Sequence, residues 1–438
     1  MPRFAQRLWG STFVRGIATV ATGTAGAQAL TVLATPILTR LFTPEHIGVL
    51  GTFTAIVGVV GVVAALRLDL AIVVPREEEA AVAVTVSAIG VVGIVTLLTA
   101  IAAALAVLIV PGVAATPGAA VMAGLLPLAV AMTGTFRVMT QWLARSGHFR
   151  TMAEAHVVQS ATTVALQLIG GVVAASVGVL VLGKVLGQAS AAVRAAAGSL
   201  RYQPALGRHR SGFRAIWRTV GTHRAFTVFG SSQALVNAVN QGLPVFLLTA
   251  FFGPAVVGFY VLANRVLGLP FQLIGQSIRQ VIYPKLGRDL AAGTGLQTTR
   301  RTTLGLAAMT LPVIVLVMWF GEPAFALILG REWAVAGVFA GYTVLWLGSA
   351  FMNIPSVSAI PLLGLQRAHL VFEIAYLAGR ALALWLAASY GDARLGVAAV
   401  SVVGALFNLL LIVFVDRAMA RHRPPPATPE RVASQAST

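Results

Sequence analysis

The sequence predicts an all-α integral membrane protein with about twelve transmembrane helices in two six-helix lobes related by an internal repeat. Three observations favour this fold class: an apolar composition, segments that recur at a constant offset, and a one-sided distribution of arginine. Of 438 residues, 58% are hydrophobic and 10% are charged, and the mean hydropathy is +0.87. Ordinary globular chains carry about 25% charged residues, so we expect this chain to lie in a lipid bilayer.

Stretches long enough to cross a membrane recur along the whole chain. A helix needs about 20 mostly apolar residues to span about 30 Å of hydrocarbon. Twelve such stretches are predicted spans, at residues 13–40, 46–66, 80–110, 118–143, 152–175, 177–199, 225–251, 255–284, 302–329, 335–360, 368–389 and 394–416.

The chain carries two copies of one segment. The pattern Phe-x-Pro-x-x-x-Gly at residues 42–48 returns at residues 252–258, with apolar stretches around both copies. A duplicated helical bundle is typical of secondary transporters. We therefore predict an N-terminal six-helix lobe at 1–200 and a C-terminal six-helix lobe at 225–418. Further matches occur at offsets near 205 to 210 residues, namely Gln28 with Gln233, Pro36 with Pro244 and Pro75 with Pro284.

Basic residues lie mostly on one side of the predicted spans. With a cytoplasmic N-terminus, 24 of the 31 Lys and Arg residues fall in cytoplasmic segments or near the cytoplasmic ends of spans, and only Arg40, Arg331 and Arg394 lie on the outer side. Positive charge concentrates on the cytoplasmic side of membrane proteins, so both termini are predicted to be cytoplasmic. The net charge of +18 then reflects loops that bind anionic headgroups. Membrane lipids are expected partners, and nucleic acid is not.

Two segments fall outside the predicted lobes. Residues 201–224 are rich in Arg, and we interpret them as a basic cytoplasmic linker between the lobes. Residues 419–438 contain Pro424-Pro425-Pro426 followed by polar residues. A segment of that composition buries too little apolar surface to fold, so a disordered cytoplasmic tail is predicted.

The sequence offers no support for metal or nucleotide chemistry. Cys is absent, and none of the seven His residues has a second His four positions away, which is the spacing of a helical metal site. There is also no Walker sequence and no Gly-rich turn after a strand. We therefore predict no cofactor, no metal and no enzymatic activity.

The basic residues that lie well away from the ends of predicted spans are candidates for substrate binding: Arg137, Lys184, Arg265 and Arg380. Placing an Arg or Lys at a helix centre costs about 2.5 to 3.5 kcal/mol, so such residues usually face an interior or an aqueous cavity. Cations in a cavity suit an anion, above all phosphate, which Arg can hold with two parallel hydrogen bonds. The alternatives are snorkelling to a headgroup and, for Arg380, a charge network with Glu373, which shares its helix face.

Polar and proline residues complete the candidate site. Asn237, Asn240, Gln241 and Asn264 are expected to line the cavity and bind hydroxyl groups, although hydrogen bonding between helices explains each of them equally well. Pro36 and Pro244 occupy matching places in the two halves and bend their helices. We assign them a gating role as a hypothesis, with helix packing as the alternative.

Three motifs resemble those of bacterial polysaccharide-repeat flippases, which export O-antigen or exopolysaccharide units. They are the repeated Phe-x-Pro-x-x-x-Gly segment, the end of the second span at Arg67–Pro75 (RLDLAIVVP), and Val281-Ile282-Tyr283-Pro284 at the close of the eighth. The similarity extends from residue 13 to about residue 418. The flippases belong to the multidrug/oligosaccharidyl-lipid/polysaccharide exporter superfamily.

The resemblance implies a substrate and a cellular place. The substrate would be an undecaprenyl-pyrophosphate oligosaccharide, moved from the cytoplasmic to the periplasmic face of the bacterial inner membrane by alternating access. A glycan polymerase and chain-length proteins would be its partners. Comparable cavity cations in the family make Arg137, Lys184, Arg265 and Arg380 candidates, without a residue-by-residue correspondence.

Two rival functions stay open at this stage. A multidrug or other small-molecule exporter of the same superfamily would have the same architecture, but exporters of cationic drugs generally use acidic residues deep in the first half. Here the first span, Phe13 to Arg40, contains neither Asp nor Glu. A polytopic glycan polymerase or glycosyltransferase would need catalytic groups in a large outer loop, and the predicted outer connections are short.

Overall fold

The computed structural model describes residues 3–109, 118–209 and 212–421, and within them the chain is helical. We number the long helices α1 to α12 in chain order. They are α1 Arg3–Leu33, α2 Pro44–Val63, α3 Glu78–Ile109, α4 Ala119–Arg145, α5 Phe149–Val173, α6 Val177–Tyr202, α7 Ser231–Phe252, α8 Pro254–Ala291, α9 Gly295–Leu329, α10 Ala334–Met352, α11 Gln366–Ser389 and α12 Ala393–Arg421.

Eleven of these helices, α2 to α12, are long and apolar enough to cross a membrane. The span of α7 includes the π-helical turn Ala225–Gly230, and that of α10 includes the 3-10 turn Arg331–Trp333. Large apolar side chains remain exposed, such as Trp319 and Leu327 of α9 with exposed fractions of 78% and 82%. Exposed apolar side chains are compatible with contact to lipid tails, which are as apolar as Leu. The predicted all-α membrane fold is confirmed.

The first predicted span, 13–40, consists of two helices rather than one. Helix α1 ends at Leu33, and after a turn at Ala34 a second helix runs over Thr35–Leu41. Pro36 causes this break because it lacks an N–H group and disfavours helical geometry in the residue before it.

The tenth predicted span, 335–360, is divided in the same way. Helix α10 ends at Met352, and a separate helix, Ile354–Leu362, starts after Asn353. Pro355 lies in the first turn of that second helix, where a missing N–H group is tolerated.

The chain forms two compact units. Unit 1 comprises Met1–Leu262 and Phe325–Trp333, and unit 2 comprises Ala263–Ala324 and Ala334–Thr438. Unit 1 therefore includes α7 and the first turns of α8, which belong to the second half of the sequence. The division into lobes at 1–200 and 225–418, joined by a linker, stays a prediction. Of the predicted tail, residues 419–421 are the last of α12, and the rest lies outside the described residues.

Glycine brings α5 and α6 close together in unit 1. A Cβ atom on Gly183 would lie 2.9 Å from Cγ of Gln167, and one on Gly187 would overlap Thr163. The Nε2 group of Gln167 donates a hydrogen bond of 2.9 Å to the carbonyl oxygen of Leu180 across the same interface. Small residues allow this approach of helix backbones in lipid, so these glycines serve packing.

The predicted linker contains an amphipathic helix, Phe213–Thr222. Ile216 is buried and packs against α3. Phe213 and Trp217 are exposed, with their rings edge to face and centroids 6.0 Å apart. A helix with one packed apolar face and exposed aromatic rings suits the plane of the lipid headgroups.

Candidate functional site

The two copies of the repeated segment lie against each other within unit 1. A Cβ atom on Gly48 would overlap the carbonyl oxygen of Pro254, and a Cβ atom on Gly258 would overlap the carbonyl oxygen of Pro44. The contacts are reciprocal, since each glycine meets the proline of the other copy. Any side chain at either position would push α2 and α8 apart. We call this contact the repeat crossing, and it explains why both copies carry Gly four residues after Pro.

Hydrogen bonds accompany the repeat crossing. The hydroxyl groups of Thr52 on α2 and Thr249 on α7 lie 2.9 Å apart and share a hydrogen bond. The buried Trp333 donates from Nε1 to the carbonyl oxygen of Thr39 at 2.9 Å. Within unit 1, both bonds join the first half of the sequence to the second. By the predicted topology, the repeat crossing lies toward the outer face of the membrane.

Arg137 is half-buried on α4, and its Nη1 atom is buried without a hydrogen-bond partner among the described residues. The charges that act on it are those of Asp69 and Arg67. Asp69 is 5% exposed. An unsatisfied guanidinium nitrogen in a low-dielectric environment is costly, so this position favours an anionic ligand.

Lys184 and the polar residues of α7 have varied surroundings. Lys184 is half-buried on α6 and has interaction partners. The Nε2 group of Gln241 donates to Oδ1 of Asn237 at 3.2 Å, and both residues are exposed. Asn240 is 3% exposed and has partners of its own. Residues three and four positions apart are neighbours on a helix, so these three α7 residues lie side by side, with Asn240 buried and the other two exposed.

Arg265 is the basic residue of unit 2 that best fits the prediction. It is half-buried on α8, next to the half-buried Asn264. At about 1.5 Å per residue it lies about 16 Å from the start of α8 at Pro254, which is close to the middle of a bilayer. The described parts of the chain supply its guanidinium with neither a hydrogen bond nor an ion pair. It is thus a cation inside the predicted span 255–284 for which the described chain supplies no counterion.

Arg380 has a different environment, inside the helix packing of unit 2. It is 2% exposed, and its guanidinium carbon lies 5.3 Å from the ring centre of Trp346 and 5.1 Å from that of Tyr376. A Cβ atom on Gly404 of α12 would meet both aromatic side chains, so that glycine makes room for them. Glu373 lies 3.5 Å from Nε2 of His369. Cation–π contacts of this kind stabilise a buried guanidinium, and the substrate role of Arg380 stays a prediction.

A polar cluster in unit 2 was missed by the sequence reasoning. Asn353 donates to Oδ1 of Asn408 at 3.2 Å, and Asn408 donates to Oγ of Ser349 at 3.1 Å. Asn353 lies at the break between α10 and the helix Ile354–Leu362. Such clusters hold helices together in lipid. The signal in the sequence is Pro355, because helices usually end at or before the residue that precedes a proline.

The two matching prolines have unlike local effects. Pro36 begins a new helix after α1, whereas Pro244 is buried inside the continuous helix α7. Their gating role stays a prediction. Among the residues that the structure describes, no group of three or more His, Cys, Asp or Glu side chains is arranged to hold a metal ion.

The fold and the basic residues within its spans define a multi-pass helical membrane protein. The family of polysaccharide biosynthesis proteins matches residues 37–337, and the chain belongs to this family. The resemblance drawn from the sequence motifs is thereby confirmed. The chain is also similar to the succinoglycan biosynthesis transport protein ExoT of Rhizobium meliloti (strain 1021), with 26% identity over 387 residues, 84% of this chain and 72% of that protein.

Solved structures share the fold. The lipid II flippase MurJ in an inward closed conformation matches with a TM-score of 0.74 and 12% identity, over 92% of this chain and 89% of that one. A multidrug resistance MATE family transporter of the MOP superfamily, in an inward-facing conformation, matches with a TM-score of 0.71 and 14% identity, over 90% of this chain and 94% of that one.

Proposed function

We propose that the protein is a flippase that moves an undecaprenyl-pyrophosphate-linked oligosaccharide from the cytoplasmic to the periplasmic face of the inner membrane. Membership of a polysaccharide biosynthesis family supports the glycan class, and the names of ExoT and MurJ support transport of a lipid-linked glycan rather than its synthesis. The observation that carries the proposal is Arg265, a cation inside a predicted span for which the described chain supplies no counterion.

The cations suit the charged part of such a substrate. A pyrophosphate cannot cross hydrocarbon unaided, because transfer of an isolated charge to low dielectric costs far more than a single binding contact returns. Arg137 and Arg265 each offer a guanidinium fork that matches phosphate oxygens. Lys184 and Arg380 add positive charge, and Asn237, Asn240, Gln241 and Asn264 supply groups for sugar hydroxyls. The lipid tail remains in the bilayer during the transfer.

Alternating access requires one face to open while the other is closed. The repeat crossing closes the predicted outer face, because its glycines bring helix backbones into contact. For release to the periplasm, α2 has to separate from α7 and α8 at this crossing. Pro36 and Pro244 lie near it in sequence, and we assign them the bending that this separation needs.

The proposal includes a location and partners. Both termini are cytoplasmic in it, as the distribution of Arg predicts. A glycan polymerase and chain-length proteins act on the substrate after release. The protein itself is not an enzyme in this account and holds no cofactor.

A multidrug exporter is the second candidate, and the fold shared with a MATE transporter favours it. The basic character of the membrane-spanning charges argues against cationic drugs, since Arg265 would repel them. A deletion strain separates the two candidates: loss of surface glycan supports the flippase, and drug hypersensitivity with normal glycan supports the exporter.

The same strain tests the site. A plasmid copy of the wild-type gene should restore surface glycan, whereas Arg265→Ala should restore less than a tenth of it at equal protein abundance. The reason is that a hydrogen bond to a charged group contributes about 1.5 to 3 kcal/mol, which corresponds to more than tenfold in binding. Arg265→Lys should restore an intermediate amount, because Lys keeps the charge but not the fork.

The matched control is Arg300→Ala. Arg300 forms an ion pair of 2.7 Å with Asp416 and its side chain is 59% exposed, so this variant should behave as wild type. Full glycan output with Arg265→Ala would contradict the proposed role of Arg265.

A further inference from the structure

The turn that follows α2 has an unusual backbone. Leu66 and Arg67 have φ angles of 45° and 56°, in the left-handed region that residues other than Gly, Asn and Asp rarely adopt. Such strain persists only where the surrounding structure holds it, and it clusters at functional sites. The turn leads directly into the short helix Leu68–Ala71, so it sets the positions of both Arg67 and Asp69.

This turn is anchored to the neighbouring helices of unit 1. Arg145 of α4 donates from Nη1 to the carbonyl oxygen of Ile72 at 3.0 Å. A Cβ atom on Gly230 would lie 3.8 Å from Cβ of Arg67, so the π-helical turn Ala225–Gly230 packs directly beside that residue. The backbone of this segment is thus packed between α4 and the π-helical turn.

Two guanidinium groups of this region have buried nitrogen atoms without hydrogen bonds among the described residues, and Asp69 adds a buried carboxylate. Nε of Arg67 and Nη1 of Arg137 are buried, and neither has a hydrogen-bond partner in the described chain. Asp69 is 5% exposed. Asp69 and Arg67 both act electrostatically on Arg137. Two guanidinium groups and one carboxylate leave a net positive charge.

Building on the proposed function, we propose that Arg67 and Arg137 form a binding site for one phosphate group of a prenyl diphosphate, with Asp69 as the counterion of the empty site. A phosphate accepts hydrogen bonds from both guanidinium groups and satisfies the nitrogens that the protein leaves unpaired. The carboxylate of Asp69 competes with the phosphate for Arg137. Asp69 therefore lowers the affinity of the site for phosphate. It also reduces the free-energy cost of burying the two guanidinium groups when no ligand is bound.

The competing account is a structural network, in which the three charges only stabilise the turn. The two accounts differ in the effect of Asp69→Asn. If Asp69 competes with the ligand, its neutralisation strengthens phosphate binding. If Asp69 only supports the local structure, neutralisation disturbs the site and weakens binding.

The test is isothermal titration calorimetry on the purified full-length protein in detergent, with farnesyl diphosphate as the probe. We expect Arg67→Asn to raise the dissociation constant about tenfold or more, and Asp69→Asn to lower it severalfold. Asn is chosen at position 67 because it tolerates a left-handed backbone. Arg67→Lys, which keeps the charge, should weaken binding less than Arg67→Asn and replaces it if that variant does not fold. Arg300→Ala is the control and should bind as wild type.

Two further ligands identify the source of the phosphate. Farnesol should not bind at this site, and inorganic pyrophosphate should bind more weakly than farnesyl diphosphate if a lipid-linked group is the ligand. The proposal is overturned if wild type fails to bind farnesyl diphosphate, if Arg67→Asn binds as tightly as wild type, or if Asp69→Asn weakens binding. Normal glycan export by a protein that binds no diphosphate would refute this site alone. Failure to support export would refute the proposed function instead.

Discussion

The repeat crossing can be locked by a disulfide between positions 52 and 249. The chain contains no Cys, so Thr52→Cys combined with Thr249→Cys introduces the only two thiols. The hydroxyl oxygens of these residues are 2.9 Å apart. A disulfide needs an S–S distance of about 2.05 Å, so a local shift of roughly 1 Å brings the two sulfur atoms to bonding distance.

The oxidised and reduced forms of this variant should differ sharply. If α2 and α7 must separate during each cycle, a covalent bond between them stops transport, and we expect less than a tenth of the reduced rate. The reduced form loses only one neutral hydrogen bond, which contributes about 1 kcal/mol, and should keep most of its activity. The assay is movement of a fluorescent lipid-linked oligosaccharide across proteoliposomes, before and after addition of a reductant.

A second cysteine pair provides the control. The hydroxyl oxygens of Ser87 on α3 and Thr219 on the linker helix Phe213–Thr222 are 3.3 Å apart, and both residues lie in unit 1. A disulfide between Ser87→Cys and Thr219→Cys should leave transport unchanged, because the account does not require these two helices to separate. The reasoning is refuted if the oxidised 52–249 variant transports as fast as its reduced form.

Three more outcomes follow from the packing of single residues. Gly258→Ala places a methyl group against the carbonyl oxygen of Pro44 and should lower the free energy of unfolding by about 1 to 3 kcal/mol, seen as a lower melting temperature in detergent. Arg380→Ala removes both cation–π contacts and leaves a void, so we expect reduced thermal stability as well as reduced export; reduced export at unchanged stability would favour a direct substrate role. Arg300→Ala should change neither stability nor export, because its ion pair is exposed to solvent.

The membrane spans were predictable because composition and span length act locally. Helix α9, for example, covers the predicted span 302–329 and extends it to Gly295. The breaks at Ala34 and Asn353 were not predicted, although Pro36 and Pro355 were visible in the sequence. Hydropathy is averaged over a window of residues, and a single missing N–H group does not change that average.

The sequence predicted which basic residues lie in the membrane, but not which side chains surround them. Hydropathy identified Arg265 and Arg380 as basic residues in the membrane, but it does not distinguish their surroundings. Arg380 is packed against aromatic side chains because Trp346 lies beside it and Gly404 makes room, both on other helices, and no local sequence pattern reports such contacts. Hydropathy places Arg67 in a loop after the second span. Its proximity to Arg137 depends on the packing of the short helix Leu68–Ala71 against α4, which no local pattern reports.

The contact between the two copies at the repeat crossing was not predictable from the sequence repeat. Duplication of the Phe-x-Pro-x-x-x-Gly pattern indicated two related halves, but not that the two copies contact each other. Only the structure shows that Gly48 and Gly258 are needed because each faces a backbone carbonyl group of the other copy.

The central claim is that basic residues inside the membrane carry a glycan diphosphate across it. The most direct measurement is the rate at which purified protein in proteoliposomes moves an undecaprenyl-pyrophosphate oligosaccharide to the opposite leaflet, for wild type and for Arg265→Ala. The account predicts transport by wild type and a rate at least tenfold lower for the variant. Equal rates for the two proteins, or no transport by wild type, would contradict it.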